Sequence, residues 1–367
     1  MSKTVRRADL QVCRLPSLKA WPTYCFALAL TILTTARTAA HDPITTKVTW
    51  SKEISRIVER RCAGCHRPDG AAPMALVTYE QARPWLRAIK EQVVSRRMPK
   101  WPAARGVGDF DNDRSLSPFE IELIAAWVDG GAPKGDARDL ARSATPPRAP
   151  KPDLRVALPV RRAPPAGEHR TFSVSTSGAH DRWIAGWQFR PNDPAILQAE
   201  FKMADGRDLG TWVPPEDAVS FPANTAFALP ARGVIETTLW YRSASAQQDF
   251  PVGLPSRAPE LAFTFADTPP AREVRGLSAG CGDTVSAAAG DIIAVRPIAQ
   301  HAKASIGVAI RPADGPPRPL TWLREFDPAY QATYRLRDPI AMATDTKIEV
   351  ASGDPGCRAY VQYVANR

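Results

Sequence analysis

Histidine is the scarcest reactive side chain here, with five residues in a chain of 367. Familiar catalytic signatures are missing as well. There is no Gly-x-Ser-x-Gly, no His-Glu-x-x-His and no dinucleotide-binding glycine fingerprint. A hydrolase elbow, a zinc protease and a Rossmann dehydrogenase therefore have no support. Lys and Arg form no run and no stripe interleaved with aromatics, so nucleic acid is not an expected partner. No internal repeat is evident. The apolar run at residues 21–33 is broken by Pro22, Thr23 and Thr31 and is too short for a comfortable bilayer span.

What is present starts with a leader. Residues 1–40 hold six basic side chains against Asp9 alone, then the apolar run, then the small residues Thr38, Ala39 and Ala40. That is the layout of a cleavable export signal, with cleavage expected before His41; an uncleaved anchor is the alternative. Arg6-Arg7 is a poor twin-arginine match, and Cys25 lacks a lipobox before it. About half of the formal charge of +10 lies in this leader. The remainder is mildly basic, enough to favour an acidic redox partner. Apolar residues make up 44% of the chain, ample for two or three cores. The 36 prolines point to loops, linkers and β-structure.

Six cysteines divide cleanly. Cys13 and Cys25 fall in the leader. Cys62-Ala63-Gly64-Cys65-His66 is the c-type haem attachment signature. Two thiols three positions apart reach the two vinyl groups on one haem edge, and the next residue, His66, offers a nitrogen to the iron. A thioredoxin-like Cys-x-x-Cys would want a strand before it, whereas residues 51–61 read as a helix capped by Ser51. Cys281 and Cys357 remain. In an oxidising compartment a disulfide is expected, worth about 4 kcal/mol for a loop of that length, with two buried thiols as the alternative.

Residues 48–135 read as a compact helical unit. A second helix is expected over residues 79–97, with Pro84 tolerated near its first turn. A third begins at Ser117-Pro118-Phe119-Glu120, a capping box with Pro at the first helical position, and stops at Gly130-Gly131. No histidine besides His66 lies in this unit, so a sixth iron ligand must come from Met74 or Met98. Met98, at a helix end before Pro99, is the favoured ligand, with Trp101 packing near the pocket. Met74, eight residues after His66, is expected to pack against porphyrin or core. Five-coordinate iron stays open.

The stretch from Cys62 to Gly135 resembles a family of small bacterial c-type cytochrome domains. The residues that carry the resemblance are Cys62-x-x-Cys65-His66-Arg67-Pro68, Ala72-Pro73-Met74, Thr78-Tyr79, Ala82-Arg83-Pro84-Trp85, Met98-Pro99-x-Trp101, Asp113-Arg114-x-Leu116-Ser117 and Trp127-Val128-Asp129-x-Gly131-Ala132-Pro133. In that family the domain often precedes a module resembling the copper type II, ascorbate-dependent monooxygenases (peptidylglycine- and dopamine-hydroxylating enzymes). A weaker resemblance to that module lies in Arg182-Trp183-Ile184, Arg190-Pro191, Leu209-Gly210-Thr211-Trp212-Val213-Pro214, Phe221-Pro222 and Phe326-Asp327-x-x-Tyr330-Gln331-x-x-Tyr334.

Between the two lies a Pro-rich stretch, residues 136–166, expected to be a stiff linker. Residues 167–367 read as β-rich, with runs at 171–175, 183–189, 196–202, 234–241, 260–265, 291–297, 304–310, 333–336, 347–351 and 358–364. A seam near Pro269-Pro270 divides them into 167–268 and 269–367. The monooxygenase ligands are missing. Asn192-Asp193 stands where the resemblance implies a His-His pair, and Ile298-Ala299-Gln300-His301 where it implies His-x-His. Only His169, His180 and His301 serve the whole β half, so copper is not expected. A histidine brace at His41 is a minor alternative to a free tail.

The expected fold is therefore multidomain, an all-α class I-like cytochrome c domain (residues 41–135) followed by two all-β antiparallel, jelly-roll-like sandwiches. The expected function is single-electron transfer by an exported, periplasmic protein with one covalent haem, held by Cys62 and Cys65 and ligated by His66 and Met98. Its partner would be a periplasmic redox protein. A haem-fed copper monooxygenase and a structural or assembly subunit are the alternatives.

Overall fold

A computed structural model describes residues 47–68, 70–140, 151–160, 169–176, 178, 180–216, 218–242 and 257–365. The expected leader, its cleavage point at His41, and parts of the Pro-rich stretch lie outside the described residues. Val48–Arg367 forms one compact unit.

The helical elements are short. A π-type turn at Trp50–Ile54 leads into α1 (Ser55–Arg61); α2 is Tyr79–Ala82, α3 is Leu86–Val94 and α4 is Pro118–Asp129. The helix expected over residues 79–97 is interrupted at Arg83–Trp85 by a 3-10 turn. Pro84 has no N–H to give to the carbonyl one turn back, so the α-ladder breaks there. Thr78 caps α2 and Ser117 caps α4, each with a reciprocal capping box through Gln81 and Glu120. Gly131, at a φ of 82°, takes the left-handed conformation that ends α4. Trp50 packs edge-on against Tyr79 and tilted against Trp127, with ring centroids 6.2 and 5.8 Å away.

The expected all-α cytochrome c domain is not formed. The chain is mostly β-sheet, and its helices are few and short, the longest spanning 12 of the described residues. Trp50, Ile54, Ile57, Ile124 and Trp127 are buried where the short helices pack on one another, outside both β cores. Residues 98–116, between α3 and α4, carry no helix and are laid across the β structure. Ala103 bridges to Leu323 and Phe110 to Leu336. Trp101, Phe110 and Tyr334 form one aromatic cluster, with centroids 5.0 to 6.0 Å apart. Asn112 donates to the Thr333 carbonyl at 2.8 Å and accepts from Arg335 N–H at 3.1 Å.

Among the described residues, three sheets make up the β structure. The largest has nine strands: β1 (Leu154–Ala157), β9 (Glu260–Phe265), β3 (Arg182–Arg190), β7 (Thr225–Leu229), β10 (Arg272–Gly280), β17 (Arg358–Ala365), β12 (Gly290–Ile298) and β15 (Tyr334–Met342) in that order, with β6 (Val219–Ser220) also on β3. A four-stranded sheet of β2 (His169–Ser175), β8 (Val234–Tyr241), β4 (Ile196–Met203) and β5 (Asp208–Trp212) shares one core with its first half. Another, of β11 (Thr284–Ser286), β16 (Lys347–Ser352), β13 (Ile306–Arg311) and β14 (Arg318–Leu323), shares a second core with the other half. Each β run expected from the sequence overlies a strand.

The two expected separate sandwiches are thus corrected: one sheet runs through both cores. The join is a short parallel pairing, Thr225 with Arg272 and Ala226 with Glu273. On β12, Arg296 is almost wholly buried. It pairs with Glu200 at 2.7 Å and Asp208 at 2.6 Å, tying the second half to β4 and β5. Residues 151–160, inside the stretch expected to be a tether, supply β1 and the buried Leu158.

Candidate functional site

Helix α1 ends at Arg61, and the cysteine motif turns sharply after it. The N–H groups of Cys65 and His66 both donate to the Cys62 carbonyl, at 3.1 and 2.9 Å. The turn directs both thiols to one cavity of about 350 Å³, and neither is in a disulfide. Gly64 is required here. A Cβ on it would stand 2.5 Å from Pro215 Cγ, across the gap to the β structure.

The thiols are held protonated. Burial pushes Cys62 up to about 12, with Cys65 and Glu120 adding to it and Arg61 opposing. Burial raises Cys65 as well, against the pull of Arg114, Arg67, Arg242 and Lys100. A helix rather than a strand feeds the pair, unlike the setting of a thioredoxin-like dithiol. Among the described residues, no group of three or more His, Cys, Asp and Glu is disposed to hold a metal ion.

His66 is set by the loop that follows. Leu76 N–H donates to the His66 carbonyl at 2.8 Å, and Ala72 N–H to that of Cys65 at 3.1 Å. This brings the Met74 carbonyl to 3.0 Å from Nδ1. A carbonyl only accepts, so Nδ1 carries the hydrogen and Nε2 keeps its lone pair. Burial holds the imidazole below its usual pKa, partly offset by the Met74 hydrogen bond. The ring is therefore a neutral, oriented nitrogen donor.

Met74 and Met98 both border the same cavity. Met98 follows α3, its N–H on the Gln92 carbonyl at 3.1 Å, and it is 38% exposed. Trp101 faces away from the thiols into the aromatic cluster and an adjoining cleft. Trp85, 41% exposed, gives the cavity one apolar wall with Ile89.

The far wall comes from the β structure. Leu197 on β4, Pro214 and Pro215 after β5, Arg242 after β8, and Tyr330 before β15 all line it. Arg242 donates to the Ala71 carbonyl and, at 3.0 Å, to that of Pro194, clamping the histidine loop to the β structure. Cations at Arg61, Lys100, Arg114 and Arg242 border the space, and no carboxylate does so among the described lining residues. The sequence reading did not assign these wall residues. Arg114, Pro214 and Tyr330 sit in the motifs that carried the resemblance, which was the available signal. Leu197 and Arg242 carried none.

Such a site fits a haem. It offers two thiols at the attachment spacing, a neutral imidazole, two thioethers, apolar walls, and cations to meet two carboxylates. Its volume lies within the usual range for ligand sites, about 300–1,000 Å³.

The remaining histidines are dispersed. His169 stacks on Trp240 with centroids 5.8 Å apart, His180 is exposed before β3, and His301 contacts Asp354 at 3.1 Å beyond β12. Cys281 and Cys357 are paired as a disulfide, with Cα atoms 5.2 Å apart.

No family model matches the chain, and no curated protein matches it. A solved structure entitled "Crystal Structure of the STIV MCP" aligns over 58% of this chain and 94% of its own, at 10% identity and a TM-score of 0.20. A likeness that low carries no argument.

Proposed function

We propose that this chain is an exported, periplasmic electron-transfer protein carrying one covalent c-type haem, exchanging single electrons with a periplasmic redox protein. The observation that supports this most is the shared cavity. Cys62, Cys65, His66, Met74 and Met98 all border it. When bound, haem would supply a one-electron iron couple. The chain's own residues do the rest. Cys62 and Cys65 would tether the haem. His66 would present Nε2, its ring fixed by the Met74 carbonyl. Met98 would be the favoured second donor to the iron. Pro214 and Pro215 close the wall beside Gly64 and help exclude water. Arg114 and Arg242 would balance carboxylates at the rim. Export is supported by the leader in the sequence and by the Cys281–Cys357 pairing, which needs an oxidising compartment.

The test is expression of the full chain in a host with periplasmic haem-attachment machinery. The mature protein should keep haem through denaturing electrophoresis, and the Cys62→Ala/Cys65→Ala variant should lose it. An exported wild type without covalent haem refutes the proposal. Met98→Ala should abolish the weak long-wavelength sulfur-to-iron absorption of the oxidised protein, while Met74→Ala should keep it. The opposite pattern would move the ligand to Met74.

A further inference from the structure

A second and larger cavity, of about 750 Å³, adjoins the first. The two share Gln92, Val93, Met98, Pro99, Lys100 and Tyr330 as a common wall. Its floor is apolar, built from Pro99, Trp101 and Pro102, and its other walls come from residues 115–121 and 324–330. Its charge is one-sided. Arg96, Arg97, Lys100, Arg105 and Arg324 line it, against Glu325 and Asp327.

Part of that positive charge is spoken for weakly. Lys100 pairs with Asp327 at 2.8 Å and Arg97 with Glu91 at 2.7 Å, but all four side chains are well exposed. Exposed pairs of this kind are worth little and exchange readily. Arg105 spends one nitrogen on the Leu116 carbonyl. Arg324 lies over the exposed Trp322 ring at 5.3 Å. Arg96, exposed at the end of α3, makes no ion pair among the described residues. Cations from two distant stretches of chain thus face one open, apolar-floored space beside Met98.

We propose that this cleft is the docking site for an acidic segment of a partner protein. Several carboxylates on an extended segment would meet guanidinium groups from both walls, and its apolar parts would cover Trp101 and Pro102. Cations spread along a cleft of this size suit a chain with repeated charges better than one compact anion. The binding site stands on its own charge and shape. Its use for electron delivery rests on the haem reading above, since it would bring the partner to the Met98 side of the cysteine cavity.

The test is binding of fluorescein-labelled hexaglutamate to the full mature chain by anisotropy, with haem-free and haem-loaded protein. This separates the docking site from the haem proposal. Saturable binding that weakens with salt is expected in both forms. Arg96→Glu/Arg324→Glu should weaken it roughly tenfold. Arg170→Glu, an exposed charge on β2 outside the cleft, should leave it unchanged. If Arg170→Glu weakens binding equally, the attraction is only net charge and the proposal fails. It fails also if inorganic phosphate displaces the peptide at equal total charge, which would make the cleft a small-anion site.

Discussion

Replacing Arg296 with methionine should destabilise the protein by about 3–5 kcal/mol near neutral pH, the usual cost of removing one partner from a buried ion pair. Its side chain is 1% exposed. It bonds Glu200 at 2.7 Å and Asp208 at 2.6 Å, and its guanidinium lies 4.5 Å from the Tyr360 ring centroid. Methionine fills much of the volume but removes the cation that the two acids share. Glu200 would keep Lys202 at 3.0 Å, whereas Asp208, 5% exposed, would keep no cation among the described residues. The pH dependence is the sharper part. Burial pushes the Glu200 carboxyl up, but Arg296 and Lys202 outweigh it and hold the group below the usual carboxylate range. In the wild type that stabilisation is present above the unfolded value, about 4.3, and is lost as pH falls through the folded one. Without Arg296 the balance tips towards burial, the Glu200 carboxyl rises, and acid favours the folded variant. The penalty should therefore shrink between about pH 7 and about pH 5. Urea unfolding of both proteins at the two pH values measures this. A penalty below about 1 kcal/mol, or one that grows with acid, would refute the reasoning.

The Tyr334 hydroxyl is buried with no hydrogen-bond partner among the described residues, while its ring packs against Trp101 and Phe110. Tyr334→Phe should raise stability by about 1 kcal/mol, read as a higher thermal midpoint, and a comparable loss would show that the hydroxyl is satisfied. Cys281→Ala/Cys357→Ala should cost about 4 kcal/mol in urea unfolding, because the tether closes a 76-residue span of the unfolded chain. An unchanged midpoint would mean that the tether adds nothing beyond the β10–β17 pairing.

Local features proved readable where the chemistry is local. Ser117, Pro118 and Glu120 announce the start of α4, since a capping box satisfies the first N–H groups from within four residues. Alternation gives away β8 and β13, where every second side chain is buried, and β4, where it slips by one residue at Gln198–Ala199. Short strands without that alternation, such as β5 and β7, escaped notice because both faces are buried. Pro84 was read as tolerable, yet it sits too far along the helix for a first-turn position and splits it.

Spacing within Cys62–His66 states the attachment chemistry by itself, because thiols and imidazole a few residues apart are positioned by one turn of backbone. That turn also decides that both thiols share a cavity edge. Everything beyond the turn was decided by tertiary structure. Residues 98–116 look like a loop in sequence, yet Trp101 and Phe110 enter the second core. The other side of the cavity is built from Pro215, Arg242 and Tyr330, residues 153 to 268 positions beyond Cys62 and brought there by strand ends in different sheets. Long-range pairing of that kind depends on which apolar faces find each other, a property of the folded whole that no local spacing encodes. The sequence alone determined the reactive motif; only the fold determined that the β structure completes its pocket.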